Sequence, residues 1–487
     1  MTLQQLERYL WGAATYLRGH IDAGDYKQFI FPLLFFKRIS DVWDEEFEQA
    51  MQEGGGDLEY AAFAENHRFQ IPEGAHWKYV RQVTRNVGQT LQAAMREIEK
   101  ANPEQLYGVF GDAGWTNKDR LSDETLINLI EHFSKHKLDL KHVPQDELGN
   151  AYEYLIKQFA DDSGHTAAEF YTNRTVVRLM TLIADPQPEE SVYDPTCGSG
   201  GLLLNAALQL KAAGKEYRTL KLYGQEINLI TSSIARMNMF LHGIEDFQIV
   251  RGNTLSNPAF LEDDELKTFN VILANPPYSI KAWDQKAWSA DPYGRNLWGT
   301  PPQGTADYAF QQHIHKSTDM ANGRSVVLWP HGVLFRDAEM DMRRKMIESD
   351  VVECVIGLGP NLFYNSPMEA CLLICRTNKP VERQSKILFI NAVDLVRTEK
   401  SISFLEESHI QTIYSAYKRF MDDDGLCKVA SVGDVLKNNG NLSIPLYVAK
   451  KVNLKQEEVN LTKIVNEWNK SSIQLKESIK SLIAELK

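Results

Sequence analysis

Asn275-Pro276-Pro277-Tyr278 closes the apolar run Phe269-Asn270-Val271-Ile272-Leu273-Ala274, an unusual way to end a strand. Two consecutive prolines remove two backbone donors and stop the ladder, so carbonyls at that point are not consumed by a neighbouring strand. A side-chain amide and an aromatic ring are left at the exit, and the carboxyl ends of strands are where open α/β sheets bind ligands. Taken alone, the tetrapeptide reads as a rigid turn.

Three upstream strand exits carry groups of a related kind. Asp194-Pro195-Thr196-Cys197-Gly198-Ser199-Gly200-Gly201 follows one strand and opens a helix. Glycines there permit positive φ and let a ligand approach the backbone closely. The loop is neither G-x-G-x-x-G nor a Walker loop, and Asp194 at the strand end would repel a pyrophosphate while suiting an ammonium group. Glu226 ends the second strand, where doubly wound folds hydrogen-bond a ribose diol. By itself it reads equally as a carboxylate favoured at a helix N-terminus. Gly252-Asn253-Thr254-Leu255 follows the third strand, and the Asn253 amide either faces an adenine edge or forms a turn. Four such exits in succession converge on one edge of one sheet.

The elements that must position these groups alternate. Strands are predicted at Ser191–Tyr193, Leu220–Tyr223, Phe247–Val250, Asn270–Ala274, Arg324–Trp329, Val351–Ile356 and Ala370–Cys375, with helices at Leu202–Ala213, Ile227–Leu241, Ala306–Met320 and Glu339–Glu348. Strand and helix in alternation predict a doubly wound α/β sheet, and the short gap between the last two strands predicts an antiparallel pair at the sheet end. Residues 1–145 read as a helical domain that either only packs or closes over a substrate. Leu3, Leu6, Tyr9, Leu10, Ala13, Ala14 and Leu17 recur at helical spacing, and Tyr26–Trp43 reads as an apolar helix interrupted by Pro32, with Lys37 and Arg38 breaking its pattern. Further helices are predicted near Val80–Lys100 and Asp123–His136. Thr172 or Asn173 can cap a helix over Val176–Ile183, which leaves Phe170 and Tyr171 in the loop before it. Residues 146–400 form the expected second domain, in which Lys386–Ile390 also reads as strand-like. In 401–487, residues 402–420 read as helical, and Leu461, Val465, Trp468, Ser472, Leu475, Ile479, Leu482 and Leu486 fall on a heptad seam. Such a tail either docks on its own domain or forms half of a coiled coil with another chain.

Composition narrows the partners. No apolar stretch is long enough to cross a membrane, and the N-terminus lacks a signal-peptide pattern, so a cytoplasmic protein is expected. The odd cysteine count, without C-x-x-C spacing, suits a reducing compartment, and no metal-ligand spacing is present. The formal charge is −12. A self-sufficient duplex-DNA binder carries a basic excess, so any work on nucleic acid needs a local basic face or a partner to supply attraction.

Together these motifs resemble the amino-group DNA methyltransferases that use S-adenosylmethionine, and more narrowly the modification (M) subunits of type I restriction–modification systems. The resemblance spans most of the chain. Glu169-Phe170-Tyr171-Thr172 matches the family segment that contacts the methionine part of the cofactor, ahead of the glycine loop as in the adenine-modifying class of gamma order. Asp194 to Gly201, including Thr196, Gly198, Ser199 and Gly200, matches the cofactor loop. Glu226 matches the ribose carboxylate, and Asn275 to Tyr278 matches the catalytic N-P-P-Y. Asn253 stands where the family often has Asp, and Asn361–Pro367 replaces a Gly-Thr-Gly-like turn. The resemblance implies methyl transfer to the N6 amino group of adenine in double-stranded DNA. It also implies a separate specificity (S) subunit with two M chains, and a restriction (R) subunit in the full complex. Asn275 and the Pro276 carbonyl would accept the two amine hydrogens, and Tyr278 would stack on a base turned out of the duplex. No cysteine nucleophile is needed, and Cys197 reads as a small packing residue.

Three rivals remain at this point. A protein glutamine N5-methyltransferase also uses N-P-P-Y, but those enzymes are shorter and lack a heptad helix. A stand-alone adenine methyltransferase would need its own recognition domain and a basic face. An inactive scaffold subunit would have no use for two intact motifs.

Overall fold

The structure, a computed structural model, describes residues 1–162, 172–362, 369–399, 402–449, 468–476, 478 and 479. Nine strands form its central sheet, numbered here in chain order. They are β1 Ser191–Asp194, β2 Lys221–Glu226, β3 Phe247–Arg251, β4 Val271–Ala274, β5 Arg324–Pro330, β6 Val352–Leu358, β7 Ala370–Arg376, β8 Lys386–Ala392 and β9 Cys427–Ser431. The order across the sheet is β9-β8-β6-β7-β5-β4-β1-β2-β3. β1 to β5 pair in parallel, with Val192 beside both Leu222 and Val271. The order reverses at β1, so ligands are received at the crevice beyond the β1 and β4 exits. Every residue of β4, β5 and β6 is buried, as expected of apolar runs covered on both faces.

Two layers cover the sheet. On one face the helices Arg174–Ala184, Gly201–Ala212 and Glu407–Arg419 bury Leu179, Leu203 and Ile413 against Val192 and Leu273. On the other, Asp307–Lys316 and Met340–Glu348 bury Phe310 and Met346 with Trp329. A third core joins the N-terminal helices to the sheet domain through Ile234, Met237 and Phe240 of the helix Leu229–Leu241.

Several expectations are corrected. β6 and β7 do pair antiparallel, but β7 inserts between β5 and β6, and two more strands extend the sheet beyond them. The stretch from 402 is not wholly helical: Ile402–Phe404 is a strand, the helix is Glu407–Arg419, and β9 is the sheet edge. Pro32 does not interrupt its helix, which runs from Lys27 to Glu53. The proline lies in the second turn, where its missing N–H removes a single bond. Burial of Phe29, Ile30, Phe31, Leu33 and Leu34 offsets a penalty of about 3 kcal/mol. Lys37 and Arg38, which break the apolar pattern, are buried and satisfied. Lys37 pairs with Asp41, and Arg38 donates to the carbonyls of Leu138 and, at 2.9 Å, Val143.

The chain divides into two units, Met1–Val448 and Ala449–Lys487. In the second, the described residues 468–476, 478 and 479 are helical, and Trp468, Leu475 and Ile479 of the heptad seam are exposed. Leu461, Val465, Leu482 and Leu486 lie outside the described residues. Among the described residues no helix is long and apolar enough to cross a membrane.

Gly88 sets how closely the helix Val87–Ala101 meets the Trp115 segment. A Cβ there would stand 1.9 Å from the Trp115 carbonyl oxygen, a backbone atom that cannot rotate away. Gly88→Ala is expected to destabilise the protein by about 3 kcal/mol, read as a lowered denaturation midpoint.

Candidate active site

The strand exits do converge. Asp194 is the last residue of β1, Glu226 the last of β2, and Asn275 follows β4 directly, all on the carboxyl edge of parallel strands. A cleft at this edge is lined by Thr172, Asp194, Thr196, Gly198, Ser199, Gly201 and Asn275. Gly200, Glu226 and Asn253 do not line it. Glu169, Phe170 and Tyr171 lie outside the described residues.

The glycine loop is shaped by backbone needs. Gly198 and Gly200 have φ of 53° and 79°, and a Cβ on Gly200 would lie 2.8 Å from Met239 Cε. The loop is tied to β2 from two sides. Cys197 donates its N–H to the Gln225 carbonyl at 2.9 Å, and Gly198 donates to Glu226 Oε2 at 3.0 Å. The other oxygen of Glu226 accepts from Asn228 N at 2.8 Å. Glu226 therefore fixes the loop and the start of the following helix. Cys197 is buried, and a Cβ on Gly224 would come within 2.9 Å of its sulfur, which is the packing role expected of it.

Asp194 is almost fully buried. Burial pushes its carboxyl up to about 8, against the Thr196 N–H that it accepts at 3.0 Å, and the nearby Glu226 carboxylate adds to the rise. Near neutral pH the group is thus largely protonated, and it would ionise readily beside a cation.

The Asn275 amide is held at both ends. Its nitrogen donates to Thr172 Oγ1 at 3.0 Å, and its oxygen accepts from the Tyr278 hydroxyl. The first of these bonds joins the segment before the glycine loop to the β4 exit. Among the described residues no donor reaches the Pro276 carbonyl. Tyr278 is partly buried, packed against the cores on both faces of the sheet, with its ring 6.3 Å from that of Trp329.

Asn253 forms a turn. It is exposed, and its side-chain oxygen accepts from Leu255 N at 3.0 Å, while its amide nitrogen takes no part in the turn. Of the two capping candidates, Asn173 is the one used: its side chain accepts from Thr175 N at 3.0 Å, which frees Thr172 to bond Asn275. Sequence reasoning missed Glu153 and Arg174, which line the cleft and pair at 2.6 Å. The available signal was a carboxylate between the buried Tyr152 and Leu155 on a helix otherwise apolar on that face.

Comparisons with known proteins agree with this geometry. The N-6 DNA Methylase family model matches residues 143–456, and the HsdM N-terminal domain model matches residues 6–133. The MjaVIII type I restriction enzyme methylase subunit of Methanocaldococcus jannaschii is 31% identical over 467 residues, covering 92% of this chain and 78% of its own length. The MpnII methylase subunit of Mycoplasma pneumoniae is 26% identical, covering 99% of this chain and 96% of its own length. The crystal structure of a type I restriction–modification methyltransferase subunit from Streptococcus thermophilus superposes with a TM-score of 0.79 at 30% identity, over 92% of this chain and 100% of that one. The two family models between them span most of the sequence and these relatives match it nearly end to end, so the chain belongs to the methylase subunits of type I restriction–modification systems.

Proposed function

We propose that this chain transfers a methyl group from S-adenosylmethionine to the N6 amino group of adenine in double-stranded DNA. It would do so as the methylating subunit of a complex whose separate specificity subunit reads the site and to which a restriction subunit attaches. The observation that carries this reading is the Asn275 amide, fixed by Thr172 at the mouth of the cleft beside a Pro276 carbonyl that no described donor reaches.

The cleft suits such a methyl donor. Asp194 offers a buried carboxyl that an ammonium group would ionise, and the glycine loop lets a ligand lie against the backbone. Among the described residues a Cβ at Gly201 would meet no atom within 4 Å, so glycine keeps that wall of the cleft open. When bound, S-adenosylmethionine supplies a methyl group already activated on a sulfonium.

The chain's own residues address the nucleophile. An exocyclic adenine amine is weak because its lone pair is delocalised into the ring. Acceptance of its two hydrogens by Asn275 Oδ1 and the Pro276 carbonyl draws the nitrogen toward pyramidal geometry and frees the lone pair. Tyr278 provides a face for a base taken out of the stack. In-line placement then supplies much of the remaining rate. The negative overall charge agrees with a division of labour in which a partner supplies phosphate contacts. The exposed heptad residues beyond Ala449 are the segment proposed to meet it.

The test is transfer of tritiated methyl to duplex DNA by the chain alone and with its specificity subunit, with the product nucleoside identified. Labelled N6-methyladenine that requires the partner is expected. Label in a protein amide, or in cytosine, would overturn the proposal.

A further inference from the structure

Immediately after Tyr278, Ser279 adopts a left-handed conformation at φ 52°, which a serine does not hold without support. The support is a cluster of charges under the turn. Ser279 N donates to Asp307 Oδ1 at 2.7 Å, and the other Asp307 oxygen accepts from Arg336. The same guanidinium lies 2.9 Å from Glu339 Oε2, and its remaining nitrogen reaches Ser279 Oγ at 3.5 Å. The side chains of Asp307 and Glu339 have no exposed surface, and that of Arg336 is 28% exposed.

Arg336 is itself anchored from below. Its backbone carbonyl accepts from the buried Arg343 at 3.1 Å, and Arg343 also donates to the Gly440 carbonyl at 2.8 Å. Two carboxylates around one guanidinium is a costly arrangement in a protein interior, where each charge needs a partner and fixed hydrogen bonds. Packing alone does not require it, since an apolar cluster would fill the same space. Its geometric output is one backbone N–H, held in place next to the aromatic residue of N-P-P-Y.

We infer that Asp307, clamped by Arg336, is a positioning residue for methyl transfer: by holding Ser279 N–H it fixes the turn that aims the Pro276 carbonyl and Tyr278 at the target base. The inference rests on the methyl-transfer reading of Asn275–Tyr278. Asp307 has a fully buried side chain and lies outside the residues that line the cofactor cleft, so its loss should slow the chemical step without weakening cofactor binding.

The experiment is single-turnover methyl transfer by the full chain in complex with its specificity subunit, at saturating duplex, beside the affinity for S-adenosylmethionine. Asp307→Ala removes the acceptor and is expected to slow transfer about 100-fold, the effect of a misplacement near 1 Å, with cofactor affinity changed less than about threefold. Asp307→Asn keeps an oxygen for Ser279 N–H and should recover the rate to within about tenfold of wild type. If Asp307→Ala does not fold, Arg336→Lys decides. It keeps the charge but cannot span both carboxylates, and a rate about tenfold lower at unchanged cofactor affinity is expected. A wild-type rate in Asp307→Ala or in Arg336→Lys would overturn the inference. So would an Asn variant as slow as the Ala variant, or cofactor affinity that falls in step with the rate. A wild-type complex that transfers no methyl to DNA would instead overturn the reading of the site on which the inference stands.

Discussion

Asn275→Ala is expected to leave no detectable methyl transfer, a fall of at least ~1000-fold, while the affinity for S-adenosylmethionine changes by less than about threefold. The size follows from what the amide does. It is one of only two acceptors proposed for an amine whose lone pair is otherwise unavailable, and those bonds strengthen as the nitrogen becomes pyramidal. An interaction made mainly in the transition state is lost from the rate, not from ground-state binding. The amide is held by Thr172 on one side and Tyr278 on the other, so water entering the truncated site would not be held in the same place. Transfer of tritiated methyl by the partnered complex measures the rate, calorimetry measures cofactor affinity, and a thermal melt checks the fold. Substantial residual transfer would refute the assigned role.

The second large effect is at Asp194. With its carboxyl pushed up to about 8, the folded protein holds a proton there that the unfolded chain has released well below neutral pH. A folded-state value above the unfolded one means that stability declines as pH rises from the ordinary carboxylate range near 3.8 toward 8, then levels off. A bound ammonium group would reverse the cost by favouring the ionised form. Affinity for S-adenosylmethionine should therefore rise between about pH 6 and 8, by up to about tenfold per pH unit, with a proton released on binding. Calorimetry in two buffers of different ionisation enthalpy reads that proton directly. Asp194→Asn should flatten both profiles and weaken binding at pH 8 by about 100-fold. A wild-type affinity independent of pH across this range would contradict the role given to Asp194.

What was legible in the sequence was chemistry confined to one stretch of chain. The Asn275–Tyr278 prolines and the Asp194–Gly201 glycines announce a backbone that stops or turns, and each of those constraints is local. The alternation of apolar runs likewise gave the sheet core, because β4, β5 and β6 are buried on both faces and need no pairing information to be seen. Less visible were the features made by distant pairs. Glu153 and Arg174 sit on different helices, and nothing in either neighbourhood points to the other. The Asp307–Arg336–Glu339 cluster is drawn from separate elements around β5. β9 escaped notice because an edge strand is half polar: of Cys427–Ser431 only Cys427 is buried. Pro32 misled for the opposite reason, since a local rule was overridden by the burial of its apolar neighbours. For Asn253 the residue type allowed a ligand contact or a turn, and the turn shows only once Leu255 N is placed against the side-chain oxygen.

The bond from the Tyr278 hydroxyl to Asn275 Oδ1 makes the resting site its own competitor. That bond, from a donor tethered three residues away, takes one of the two lone pairs on the oxygen proposed to receive the target amine. Within the proposed chemistry an incoming amine either shares the oxygen with the hydroxyl or displaces it. A Tyr278 ring that turns toward a base gives up the bond as it stacks, so stacking and polarisation would be coupled through a single side chain: the better the base is seated, the more of the acceptor falls to its amine.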